Sequence, residues 1–133
     1  MKEECSLKIT RLEYIPASKY LFVKIHTDEG ITGIGEVGVW GYLDGALGVL
    51  KKLEGYLIGQ DPSRIEHHWQ YMYRSMYFRG SILMSAIAAI DIALWDIKGK
   101  YYKAPVYQLL GGKTNEKLRA YASQIQFDWD LED

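Results

Sequence analysis

Across Tyr20–Thr27, apolar Leu21, Val23 and Ile25 alternate with Phe22, Lys24 and His26. That is the two-residue period of a strand with one face on a core. Leu7 to Tyr14 reads as a strand before it. Thr32 to Val37 reads as a third, returning after an Asp28-Glu29-Gly30 turn in which Gly30 supplies a positive φ. Gly33 and Gly35 weaken the third strand taken alone, yet leave room for another backbone to come close. After Gly41 the period changes to three and four: Leu43, Leu47, Leu50, Leu53 and Leu57 mark one face of a helix, with Gly59 as its stop. Asp61-Pro62 predicts a fresh helix, Asp61 as N-cap and Pro62 in the first turn, with Ile65, Trp69, Met72 and Met76 on its apolar face. Tyr77-Phe78-Arg79-Gly80 breaks the pattern. Ser81 then suits the cap of a helix running to about Lys100 that is apolar nearly all round, as in a helix buried between two layers. A short helix is expected at about Pro105 to Leu110, stopped by Gly111-Gly112, and a last strand over Leu118 to Ser123.

Strands first and helices after them predict an α+β fold: a three-stranded antiparallel meander followed by a helical bundle packed on one face. The last strand has no partner in this order. Together with the all-apolar helix, it points to a neighbouring domain or a second chain.

The 133 residues fit one domain, and 48% hydrophobic residues suffice for a core. A net charge of -1 with scattered Lys and Arg gives no footprint for nucleic acid. Cys5 is the only cysteine, so no internal disulfide can form, which suits a reducing, cytoplasmic setting. Met1-Lys2-Glu3-Glu4 does not read as a signal peptide. The apolar run Ile82 to Ile97 is broken by Ser85, Asp91 and Asp96, too short and too charged to span a membrane. Eleven tyrosines and four tryptophans favour large interfaces with a polar rim.

Chemistry is sparse. Asp91 and Asp96 sit on the apolar helix, where burial raises a carboxyl pKa unless it is paired. Asp96 and Lys100 have the i,i+4 spacing of an ion pair, and Asp91 and Lys98 lie roughly on one face. His67 and His68 are consecutive on a helix and point about 100° apart, so they cannot easily share a metal. These two and His26 read as surface or satisfied positions. Glu36 stands alone in a Gly-rich strand and suits an interface salt bridge or a cleft. Two loops stand out: Pro16-Ala17-Ser18-Lys19, and Gly38-Val39-Trp40-Gly41-Tyr42, whose aromatics between glycines would pack on a partner or close over a ligand. Arg79 could face an anion. No Gly-x-Ser-x-Gly, His-Glu-x-x-His or P-loop is present.

The run Ser85-Ala86-Ile87-Ala88-Ala89-Ile90-Asp91-Ile92-Ala93-Leu94-Trp95-Asp96-Ile97-Lys98-Gly99-Lys100, with Pro105 to Gly112, resembles the mandelate racemase/muconate-lactonizing-enzyme family of the enolase superfamily. Within it, Leu57 to Ile65, Met72-Tyr73-Arg74 and Tyr77-Phe78-Arg79-Gly80 look like the galactonate-dehydratase-like sugar-acid dehydratases, although Ser81 stands where a second glycine is common. The resemblance implies a capping domain over residues 1–113 and, over 114–133, the start of a TIM-like barrel with Leu118 to Ser123 as its first strand. It implies a lyase of a sugar acid or other carboxylate, which abstracts the proton beside the carboxylate and then loses water. Mg²⁺ and the catalytic base would sit on later barrel strands. This segment would therefore supply no catalytic residue and no metal ligand. Its share would be a lid that closes over substrate, to which Lys19, Tyr20, Trp40, Tyr42 and Arg79 are assigned. The barrel of the same chain, and further copies in a homo-oligomer, are the implied partners. A racemase or cycloisomerase of the same family, and an inactive fragment or binding module, are the alternatives.

Overall fold

The computed structural model describes residues 7–121. Three strands, β1 (Ile9–Ala17), β2 (Tyr20–Thr27) and β3 (Thr32–Glu36), form an antiparallel meander in the order β1-β2-β3. Four helices follow: α1 (Leu43–Leu57), α2 (Ile65–Arg74), α3 (Ser81–Tyr102) and α4 (Val106–Leu109). The expected α+β architecture, a three-stranded antiparallel meander followed by helices, is observed.

The alternation in β2 works as read: Leu21, Val23 and Ile25 are buried, facing the helices. β1 is longer than expected. Its pairing continues through Pro16↔Leu21 to Ala17↔Tyr20, which an edge strand allows because a proline there need not donate to a second neighbour. At its other end, the outer edge of Ile9 is taken up by the turn after α1. The Ile9 N–H donates to the Gln60 carbonyl at 2.9 Å, and the Gly59 N–H donates to the Ile9 carbonyl at 2.8 Å.

α3 is the centre of the domain. It lies across β2 and β3 and carries α1 and α2 against its flanks. β3 comes so close that a Cβ built on Gly33 would stand 2.0 Å from the Ala93 carbonyl oxygen, and one on Gly35 would stand 1.9 Å from that of Ala89. The two glycines thus let backbone meet backbone, as their spacing in the strand suggested. The free edge of β3 is closed by the i,i+4 pair expected from the sequence. Lys100 Nζ lies 2.7 Å from Asp96 Oδ2. The same carboxylate accepts the Ile34 N–H at 3.1 Å, and the same ammonium donates to the Thr32 carbonyl at 2.7 Å. Backbone groups that would otherwise template another strand are thereby satisfied.

Several boundaries differ from the sequence reading. Asp61-Pro62 does not begin a helix. Asp61 Oδ1 instead accepts the Ser63 N–H at 2.8 Å, a turn of the Asx type, and α2 starts at Ile65. Ser81 is the first residue of α3 rather than its cap; Gly80 holds the cap position, with no side-chain capping bond. α3 is not covered all round. Ala88 is exposed and Ile92 is 52% exposed. Asp91 and Lys98 do not pair: seven residues are about 10.5 Å of helix rise, beyond the reach of an aspartate, and Lys98 Nζ lies over the Trp95 ring instead, 5.0 Å from its centroid. Leu118–Tyr121 form no strand. Leu118 and Tyr121 are exposed. The rest of that expected strand lies outside the described residues.

Candidate functional site

The meander brings the end of β1, the start of β2 and the end of β3 to one edge of the sheet. The β1–β2 turn and the segment after β3 therefore emerge side by side, and Val37 N–H donates to the Leu21 carbonyl at 2.9 Å to hold them there. Because Ala17 pairs with Tyr20, the loop expected over Pro16 to Tyr20 reduces to a two-residue tip, Ser18-Lys19. Ser18 has φ 53°, unusual for a residue with a Cβ. After β3, Val37 and Val39 point into the core while Trp40 and Tyr42 face outward, 72% and 65% exposed. The Tyr42 N–H donates to the Val39 carbonyl at 3.3 Å, and Gly41 at φ 80° makes the turn into α1.

Three of the five assigned lid residues meet. Lys19 Nζ stands 5.8 Å from the Tyr20 ring centroid and 6.0 Å from that of Trp40, within the range of a cation–π contact. Phe22 extends the aromatic surface, its centroid 6.4 Å from that of Tyr20. Tyr42 shares the Trp40 segment but makes no ring contact with the other three. Arg79 belongs to a different group. Its Nε donates to the Tyr73 carbonyl at 3.2 Å and its guanidinium lies 4.4 Å from the Tyr73 ring, which in turn stacks on Trp69. It pins the segment before α3, on which Tyr77 and Phe78 are 97% and 93% exposed.

The histidines are satisfied, as the sequence suggested. His26 Nε2 lies 2.8 Å from Glu13 Oε2 on the outer sheet face, and that hydrogen bond is the main reason the Glu13 carboxyl titrates below its usual range. His67 is exposed. His68 is fully buried, its Nε2 lying 2.8 Å from the Asp61 carbonyl and its Nδ1 2.8 Å from the Tyr56 hydroxyl. A carbonyl only accepts, so Nε2 carries the proton and Nδ1 accepts from Tyr56. Burial pushes the His68 pKa down, more strongly than the Asp61 carbonyl raises it. Tyr56 also stacks on Tyr71 at 3.7 Å. This arrangement had no signal in sequence, because its members come from α1, α2 and the turn between them.

Of the two aspartates, Asp96 is paired, whereas Asp91 has its pKa raised by burial first and by Glu66 second. Glu36 is exposed and has no ion pair among the described residues. Nor do any three His, Cys, Asp or Glu side chains among them converge as a metal ion would require. No described helix is long and apolar enough to cross a membrane.

Comparison with known proteins agrees with this architecture. Over 118 residues the chain is 52% identical to the D-galactonate dehydratase of Ralstonia pickettii (strain 12J), a match covering 87% of this chain and 31% of that protein. The chain thus spans about a third of the length of the curated relatives it matches. Among solved structures, an enolase-superfamily member from Salmonella Typhimurium superposes with a TM-score of 0.84 at 45% identity, over 92% of this chain and 33% of that one. An enolase from Pantoea ananatis, with bound D-gluconate and Mg, superposes with a TM-score of 0.78 at 40% identity, over 82% and 28%. Residues 9–111 match the model of the mandelate racemase/muconate lactonizing enzyme N-terminal domain, and this chain belongs to that family.

Proposed function

We propose that this chain is the substrate-capping portion of a Mg²⁺-dependent sugar-acid dehydratase, with residues 1–113 as the cap and 114–133 as the start of the barrel. The observation that carries the reading is the meeting of Lys19, Tyr20 and Trp40 from two separate loops on one exposed edge. The dehydratase names of its relatives, and the D-gluconate and Mg bound in the Pantoea protein, favour an acid sugar over other carboxylates. In this reading Mg²⁺ is held by the part of the full-length protein that lies outside this chain, where it stabilises the charge that develops when the proton beside the carboxylate leaves. The residues present here bind and enclose. Aromatic faces of Tyr20, Trp40 and Tyr42 take the C–H faces of the sugar chain, and Lys19 stands beside the first two rings. The guanidinium of Arg79, whose Nε is engaged by Tyr73, has its other nitrogens available to an anion. Closing the edge over substrate removes water from the reacting centre.

The test is a chimaera in which the Ralstonia pickettii enzyme carries this chain in place of its matched segment. It is assayed with D-galactonate and Mg²⁺ for the keto acid released on loss of water. A folded, active chimaera whose kcat/KM drops about 10–100-fold on Trp40→Ala, the order expected when a closing residue is lost, supports the reading. A chimaera as active with Trp40→Ala and Tyr42→Ala as without them refutes it.

A further inference from the structure

We propose that Lys19 is a positioning residue that latches the two loops of the exposed edge to one another, so that they move as one lid. The inference rests on the capping role argued above and says how that cap is built. Tyr20 is part of a strand, hydrogen-bonded into the sheet opposite Ala17. Trp40 lies in a segment with no strand partner, between Val39 in the core and Gly41 at positive φ. The backbone tie between the two segments stops at the Val37 N–H to Leu21 carbonyl bond, three residues before Trp40, and the Lys19 ammonium is placed to extend it, 5.8 Å from one ring and 6.0 Å from the other. A cation between two π faces is attracted to both.

The backbone beside it fits the same purpose. A two-residue turn between paired strands needs a positive φ at its first central position, and glycine fills it without cost. Here that residue is Ser18, held at φ 53°. Left-handed backbone in a residue with a Cβ is retained only where its surroundings enforce it, often at ligand clamps and switches. Exchanging glycine for serine restricts the tip and fixes the direction in which Lys19 leaves it. No other cation–π contact to Trp40 is present among the described residues, and Trp40 has no stacking partner there.

The experiment is ¹⁹F NMR of the 133-residue chain labelled with 5-fluorotryptophan. The Trp40 signal is assigned by its absence from Trp40→Phe, and the remaining tryptophan signals report whether the fold is intact. In Lys19→Met the Trp40 signal is expected to move toward that of the free amino acid and to show a larger solvent isotope shift. Lys19→Arg, which keeps a cation over the ring, is expected to restore both, and Ser18→Gly to move them part of the way. An unchanged Trp40 signal in Lys19→Met, with the other signals in place, overturns the latch. So does a Lys19→Arg variant that behaves like Lys19→Met. No substrate enters this measurement, so a chimaera without dehydratase activity would leave its result standing. Conversely, a chimaera sensitive to Trp40→Ala with a silent ¹⁹F response would keep the cap and discard the latch.

Discussion

The approach of β3 to α3 makes the sharpest prediction: Gly35→Ala destabilises the domain by about 2–3 kcal/mol, an unusually large effect for one methyl group. The added Cβ would stand 1.9 Å from the Ala89 carbonyl oxygen and 2.8 Å from its carbon. A carbon needs about 3.3 Å from such an oxygen, so β3 and α3 must separate by roughly 1.4 Å. Both sides of the clash are backbone, and no flexible side chain can swing away. A gap of even about 1 Å forfeits up to about half the dispersion energy of the atoms facing it, and α3 is the helix on which both β2 and β3 rest. The loss belongs at or above the upper end of overpacking costs, about 3 kcal/mol. The reduced freedom of the unfolded chain returns about 0.4–1 kcal/mol of it. At about 4–5 °C per kcal/mol for a domain near this size, the midpoint should fall by roughly 8–15 °C in a thermal melt followed by far-ultraviolet circular dichroism. Gly33→Ala, with its Cβ 2.0 Å from the Ala93 oxygen, should cost about as much. The pair should cost far less than the sum, because one retreat of the helix relieves both clashes. Gly48→Ala is the control: it lies inside α1 with nothing within 4 Å of the new Cβ, and should gain about 0.5–1 kcal/mol. A melting point within about 3 °C of the parent for Gly35→Ala, or additive costs for the two strand glycines, would refute the close-packed seam.

Three further outcomes are expected. His68 is held neutral with its pKa below 6.5, so the unfolded chain takes up its proton first as pH falls. That contribution is whole above about pH 6.5 and shrinks below it, by at most about 1.4 kcal/mol per pH unit. Urea midpoints of parent and His68→Gln at pH 7.5 and 5.5 should converge at the lower pH, and a constant gap would exclude His68 as the titrating group. Asp96→Ala leaves the Ile34 N–H without its acceptor and Lys100 with the Thr32 carbonyl alone, and should cost about 1 kcal/mol, moderated by solvent at this partly exposed site. Asp96→Asn, which can still accept from Ile34, should cost less, and equal costs would assign the whole effect to the ion pair. The uncovered strip of α3 around Ile92 should make the 133-residue chain self-associate in light scattering, and Ile92→Lys should reduce that at unchanged melting temperature. A monodisperse parent would show that the strip is not sticky.

Much of this domain was legible in the order of its residues because the signals are local. The alternation of Leu21, Val23 and Ile25 sets which face of β2 is buried, and the leucine ladder from Leu43 to Leu57 sets the whole of α1. The i,i+4 spacing of Asp96 and Lys100 was enough to predict their pair, and Gly33 and Gly35 announced a close approach. Tertiary structure decided what those features serve. That the Asp96–Lys100 pair closes the edge of β3 depends on a helix more than 60 residues away in sequence arriving alongside that strand. The Asp61-Pro62 start failed although Asp61 accepts the Ser63 N–H as a cap would: the chain closes a single turn there, Arg64 N–H to the Asp61 carbonyl at 3.3 Å, and α2 begins only at Ile65. The buried His68 owes its tautomer to a carbonyl and a tyrosine hydroxyl brought in by folding. The same holds for the candidate site. Lys19 and Trp40 stood out separately as loop residues, but sheet topology brings them together, because an antiparallel meander returns the end of its third strand beside the first turn.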